Sequence, residues 1–255
     1  MIFFLFVVGA VIGSFLNVCI YRIPREESIV FPGSHCPACK KKIAWFDNVP
    51  LISFLILRAR CRICKAGIPV RYFIVELSSG LLWAALYASY GLTVQFWVGA
   101  YLLSTLLAIS VTDLETGLIP DKITLPGIIL GLVLSTVWPE LHGQTLRQDG
   151  LMQSVFGLLA GGGSLYLIGV LGDFLFKKES MGGGDIKLMA FLGTFLGLQK
   201  VFLVLFLGPL AALPFALFAK FFQKAETIPF GPYLAFAGAC LFIFGDQISG
   251  RFFTF

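Results

Sequence analysis

The chain has 255 residues, 58% of them hydrophobic and only 13% charged, with a mean hydropathy of +0.90. Ordinary soluble domains carry roughly 25% charged residues, so this composition excludes a soluble globular domain and calls for several membrane spans. The formal net charge of +5 is small. The basic residues cluster between apolar runs, where membrane topology places them, so they do not argue for nucleic acid and none is expected as a partner.

Ile2 to Tyr21 carries no charge and is followed by Arg22 and Arg25. No lysine or arginine precedes it, so it lacks the basic start of a secretory signal, and the trailing arginines put the N-terminus outside. Arg22 to Arg71 is the one long polar segment and holds ten of the nineteen Lys and Arg residues. Leu77 to Thr112 is again free of charge. At 1.5 Å per residue it would make a helix of roughly 54 Å, against a bilayer core of about 30 Å, so it folds back, at Ser89 to Thr93, into two spans. Ile123 to Trp138 is the fourth span and Leu151 to Gly172 the fifth, with Gly161, Gly162 and Gly163 as a close-packing face. Ile186 to Leu198 is a short sixth span. Val201 to Ala219, expected to kink at Pro209 or Pro214, and Ile228 to Gly245 complete eight. No internal repeat stands out.

With eight spans, sixteen basic residues fall on the cytoplasmic side and three, Arg147, Lys200 and Arg251, outside. This is the direction membrane insertion favours. A re-entrant sixth segment would instead put Lys220 and Lys224 outside.

Four of the six cysteines form two pairs, Cys36 with Cys39 and Cys61 with Cys64, separated by 21 residues. Each Cys-x-x-Cys hairpin can deliver two thiolates to one tetrahedral zinc. The segment is too short and polar to build a large core, so a metal would hold it together. Two disulfides are the other reading, disfavoured in a reducing compartment. Cys19 and Cys240 lie in apolar runs and read as small packed residues. His35 reads as a loop residue, although it could serve as a ligand.

Two acids stand at the ends of apolar runs. Asp113 closes one, and Asp185 follows Gly182, Gly183 and Gly184 at the start of another. A carboxylate at membrane depth is costly and points to function, although Asp185 also fits a helix N-terminus, where a carboxylate is favoured. Two acids on different spans at one depth can form an aspartyl protease pair, in which one carboxylate activates water and the other serves as acid. Glu115 and Asp121 lie in the loop after Asp113, Glu76 opens the second span, and Asp173 and Glu179 sit in a charged loop. No Ser/His/Asp set, His-Glu-x-x-His motif or phosphate-binding glycine loop is present.

In order and spacing the chain resembles the prepilin peptidases (type IV leader peptidases), a branch of the Gly-x-Gly-Asp intramembrane aspartyl proteases. The resemblance rests on Gly13 to Val18, Tyr21 to Pro24, both cysteine pairs with Asp47 to Pro50 between them, and Arg71-Tyr72 through Val75 to Leu77. It continues with Asp113, Ile119 to Pro126, and Gly182 to Lys187. It implies that Asp113 and Asp185 are the catalytic pair, supported by Gly182, Gly184, Asp121 and Lys187. It also implies removal of the leader peptide of type IV prepilins or type II secretion pseudopilins at the cytoplasmic face. Methylation of the new N-terminus with S-adenosylmethionine is the second activity it implies. The expected architecture is an all-α polytopic membrane protein of about eight transmembrane helices, with a small zinc-bound cytoplasmic domain between the first two. Residues 1–21 form the first helix, 22–71 the four-cysteine domain and 72–255 the aspartyl protease domain with seven further spans. The expected location is a bacterial inner membrane, among membrane lipids, with no oligomeric state implied.

Two other readings compete. An ion- or proton-coupled transporter could use paired aspartates as a relay, but would show inverted repeats. A membrane scaffold could recruit a partner through the zinc module, but leaves the two acids at one depth without a role.

Overall fold

In the computed structural model, which describes residues 1–177, 181–218 and 229–252, every regular element is a helix. Glu179, Lys220 and Lys224, used above for loop placement, lie outside the described residues. The long helices are α1 (Ile2–Arg22), α3 (Val70–Tyr90), α4 (Val94–Thr116), α5 (Asp121–Val137), α6 (Arg147–Phe176), α7 (Gly183–Phe218) and α8 (Gly231–Phe252), with a short α2 (Ile52–Ile56) in the polar segment. Among the described residues, five helices are long and apolar enough to cross a membrane: α1, α3, α4, α6 and α7. The all-α polytopic architecture with a four-cysteine module between the first two long helices is therefore observed, and about eight apolar segments match the reading above. Many large apolar side chains face outward, such as Phe3, Phe4, Phe174 and Phe206, an exterior suited to lipid rather than water.

The chain divides into two compact units, Met1–Ala108 and Ile109–Phe255, with the boundary inside α4. In the first unit α1 and α3 run antiparallel. Gly9 lies against Ser79 and Trp83, Gly13 against the backbone of Glu76, and Gly80 against Phe6, and a Cβ at any of the three would meet a neighbour within 3.0 Å. These glycines let the two backbones approach as small residues do in membranes. The Ser79 hydroxyl donates to the Gly9 carbonyl (2.7 Å), and the Trp83 indole donates to Ser104 of α4 (3.1 Å).

In the second unit α7 packs against α5, α6 and α8. On one stripe of α6, Gly150, Gly157 and Gly161 meet neighbouring backbone, with Ser154 among them, and Gly157 abuts Gly193 so closely that neither has room for a Cβ. Gly161 lies on this stripe, Gly162 faces Ala190 and Gly163 faces open space, so the expected three-glycine face is displaced toward Gly157.

The backbone of α7 is broken at Gly197 (φ 74°, ψ 179°), whereas Pro209 and Pro214 lie inside helix. The expected sixth and seventh spans are thus two helices that meet at Gly197, with Pro209 and Pro214 inside the second. A break frees carbonyls that must find donors inside the protein. The Thr194 carbonyl takes two, from the Ser154 (2.8 Å) and Ser135 (3.1 Å) hydroxyls. His142 lies 2.8 Å from Ser135 through Nε2. With the serine proton committed to Thr194, the imidazole must be the donor to Ser135. Burial, and then the Lys200 charge, push the His142 imidazole down to about 4, so it is neutral at pH 7. Serine and histidine here brace a helix break and do not form a nucleophile-base pair.

Candidate active site

Asp113 sits in the last turn of α4 and is 6% exposed. Its Oδ2 accepts the backbone N–H of Gly231, the first residue of α8 (3.0 Å). A helix start offers unpaired N–H groups and a positive dipole end, which favour a carboxylate. A Cβ at Gly231 would lie 2.7 Å from that same oxygen, so only glycine lets α8 approach the acid this closely.

Asp185 lies in the first turn of α7, half-buried. It is close enough to Asp113 for the two carboxyl groups to feel each other's charge. Its Oδ1 is buried with no hydrogen-bond partner. A buried acceptor without a donor costs about 1–3 kcal/mol, an arrangement a capping residue would not show. The Thr112 hydroxyl, beside Asp113, is likewise buried and unpartnered.

Ile119, in the loop between α4 and α5, packs where Gly184 and Gly231 both leave room. A Cβ would come within 2.9 Å of it from Gly184 and 3.1 Å from Gly231. A Cβ at Gly182 would lie 3.5 Å from Asp185 Oδ2, an ordinary van der Waals contact. Lys187 grips both oxygens of Asp121 (2.7 Å each). Both partners are substantially exposed, so the pair contributes little stability. It does tie the start of α5 to the start of α7. The sequence reading named these residues except Gly231, Ile119 as a packing wedge, and Thr112. The one signal for Gly231 is Gly231-Pro232, since proline near a helix start marks an N-terminus.

The four cysteines named above come together: their sulfurs all lie within 4.8 Å of one another. Cys36 Sγ is 3.8 Å from Cys64 Sγ. Four zinc–sulfur bonds of about 2.3 Å at tetrahedral angles require sulfurs about 3.8 Å apart, so the donor set fits a four-thiolate metal. No cysteine is in a disulfide. The two hairpins repeat each other in backbone, as Cys36 to Ile43 and Cys61 to Ile68 do in the pattern Cys-x-x-Cys-Lys-x-x-Ile. Cys36 and Cys61 donate N–H to Lys41 and Ala66, and accept from Lys40 and Lys65. Lys40 (φ 58°) and Lys65 (φ 60°) take the same left-handed turn. N–H groups of Cys64 and Ile63 pointing at the Cys61 sulfur pull that thiol down to about 6, readying it as a thiolate ligand. His35 stays out of the cluster, its Nδ1 3.0 Å from the Gly33 carbonyl.

Residues 7–90 match the model of the bacterial peptidase A24 N-terminal domain, and residues 100–217 that of the type IV leader peptidase family. A protein of Stutzerimonas stutzeri is 37% identical over 279 residues, covering 98% of this chain and 92% of its own length. The chain belongs to the type IV leader peptidase family. A Pseudomonas aeruginosa protein is 35% identical, covering 97% of this chain and 91% of its own length. A Myxococcus xanthus protein is 42% identical over 193 residues, a match that spans 76% of this chain and 55% of that protein. All three are named prepilin leader peptidase/N-methyltransferase. No solved structure matches the chain. Membership of this family gives the transporter reading no support.

Proposed function

We propose that this protein is a leader peptidase of type IV prepilins or type II secretion pseudopilins, and that Asp113 and Asp185 are its catalytic pair. The observation that carries this reading is the convergence of two carboxyl groups from different helices, one with a buried, unpartnered oxygen. Two carboxylates at close range cannot readily both ionise, so the pair holds one proton between them. The ionised member draws a proton from a water as it attacks the scissile carbonyl, and the protonated member donates to the substrate. The Gly231 N–H bond to Asp113 Oδ2 holds that carboxyl in place while the proton moves.

In this reading the acids face the cytoplasm, the N-terminus lies outside, and the protein sits in a bacterial inner membrane. Residues 1–21 are its first span, 22–71 a four-cysteine domain held by one structural zinc on Cys36, Cys39, Cys61 and Cys64, and 72–255 the protease domain. With all four positions filled by protein, such a zinc offers no open coordination. The name shared by the relatives supports a second activity, N-methylation of the new N-terminus with S-adenosylmethionine as donor.

Purified protein incubated with a prepilin is expected to yield a peptide lighter by the leader. An unchanged substrate mass would overturn the peptidase reading. A further methyl on the mature peptide reports the second activity.

Two outcomes follow from this reading. Gly231→Ala forces a methyl against Asp113 Oδ2 and should slow leader release on the order of 10-fold to 100-fold while the protein still folds, because small misplacements of reacting groups cost about this much. Kinetics on detergent-purified variant protein check it. A cysteine introduced at Thr116, at the end of α4, should react with a membrane-impermeant thiol reagent only after the inner membrane is opened. Labelling in intact spheroplasts would reverse the orientation.

A further inference from the structure

The first unit holds a buried acid that the aspartyl chemistry does not use. Glu76 of α3 is 7% exposed and Asn17 of α1 is 1% exposed. Because α1 and α3 are antiparallel, with Gly13 against Glu76, Asn17 lies one helical turn from the acid, beside Tyr72. Asn17 Nδ2 donates to the Tyr72 carbonyl (3.1 Å), which fixes the orientation of the amide. Its Oδ1 is then a buried acceptor with no partner. Two buried groups one turn apart, a carboxyl group and an amide oxygen without a donor, make a site for a ligand rich in N–H donors.

The surroundings favour an apolar chain end as that ligand. Glu76 Oε2 accepts the N–H of Leu51 (2.8 Å), and Leu51 is held at φ 62°, ψ −51°, a conformation a bulky residue rarely adopts. Strain held in place by its surroundings is a feature of functional sites. Leu51 leads directly into α2, whose Ile52, Leu55 and Ile56 all face outward. An apolar surface is therefore hydrogen-bonded through Leu51 to the buried carboxylate. A peptide terminus with an apolar first residue presents both matching features, an ammonium and a hydrophobic side chain.

We propose that Glu76 and Asn17 bind the α-amino group of the cleaved peptide, with Glu76 as the base for its methylation. This rests on the second activity proposed above. The peptide arrives as an ammonium. The Glu76 carboxylate takes one proton, and Asn17 Oδ1 accepts a hydrogen bond from a remaining N–H. The amine lone pair then attacks the methyl carbon of an S-methyl sulfonium donor. The nitrogen–carbon bond forms as the carbon–sulfur bond breaks, and sulfur leaves as a neutral thioether with the electron pair. The product is a methylated ammonium, and Glu76 returns its proton to solvent.

Glu76→Gln tests this, since glutamine keeps an oxygen to accept the Leu51 N–H but cannot take a proton. Bound zinc and leader release report that the variant is folded. Methyl transfer to a pre-cleaved peptide should fall by about 100-fold or more, the usual contribution of a general base. A second measurement needs no methyl donor. Wild-type protein should bind a mature-sequence peptide with a free N-terminus at least about 10-fold more tightly than its N-acetyl form, the range of a hydrogen bond to a charged group. Glu76→Gln and Asn17→Ala should lose that preference. Equal affinity of the wild type for the two peptides would overturn the proposal, as would a Glu76→Gln variant that methylates at the wild-type rate. Wild-type protein that releases the leader but never methylates would instead remove the second activity, leaving the binding preference to decide whether Glu76 and Asn17 hold an amine.

Discussion

Replacing Cys39 or Cys61 by serine is expected to take bound zinc from one ion per chain to nearly none and to unfold the segment between α1 and α3. The reason is how little else holds that segment. Between Ile23 and Pro69 only Cys36 and Ser53 are buried, so hydrophobic burial cannot offset the chain entropy of ordering it. Structural zinc sites of this type contribute apparent binding free energies of about 10–16 kcal/mol, far more than the remaining contacts. Those are mainly the Arg62 fork on Asp47 (2.6–3.1 Å), the Ser53 hydroxyl on the Phe46 carbonyl (3.0 Å), and Arg22 binding the Ser28 and Pro32 carbonyls (2.8 and 2.7 Å). Elemental analysis of protein purified without chelator, with protease sensitivity of residues 23–69, reads both effects. Cys19→Ser and Cys240→Ser serve as controls and should keep the metal. Wild-type protein with intact thiols and no zinc would refute the assignment.

Asp113→Asn and Asp185→Asn should each reduce leader release by on the order of 10³-fold, within the range for losing a positioned acid or base. Asparagine keeps the size of the side chain and an oxygen for the Gly231 N–H, so Asp113→Asn should still fold. At Asp185 the competing view, a helix-end carboxylate, gives a different result. Asparagine serves well at helix starts, so cleavage would then survive. The two views separate on rate, with thermal unfolding in detergent as the check that both variants are folded.

How much of this was legible in the sequence differs by element. The apolar segments were, because a bilayer about 30 Å thick sets their length. The uncharged run from Leu77 to Thr112 had to fold back, and it does so at Gly91, where φ is 61°. The break in α7 was legible as a span boundary near Leu198, but its cause was not. Hydropathy does not distinguish a serine facing lipid from Ser135 or Ser154 donating to a freed carbonyl. The partner of His142, seven positions back, belongs to a helix whose rotation the sequence does not set. The cysteine cluster followed from spacing, while the matched backbones of its two hairpins, with Lys40 and Lys65 in left-handed turns, did not, since nothing in either lysine requires that conformation. Asp113 and Asp185 were named as site candidates from their places at the ends of apolar runs. The Gly231 amide, 118 residues from its carboxylate, depends on how α8 packs and leaves no mark in local sequence. Glu76 was noted as the acid opening the second span, yet its bond to Leu51, 25 residues away, depends on how the intervening loop folds.

Whether Asp113 and Asp185 act as one unit is tested most directly by leader release from a fixed prepilin by four folded, equally expressed proteins: wild type, each Asp→Asn variant and the double variant. Groups that share one function are non-additive. The prediction is that each single change is nearly inactive and that the double change is no slower than the slower single. Asp121→Asn, which only loosens the exposed tie to Lys187, should retain most activity. A single variant cleaving at near the wild-type rate would contradict the pair, and so would a double variant whose loss is the product of the two single losses.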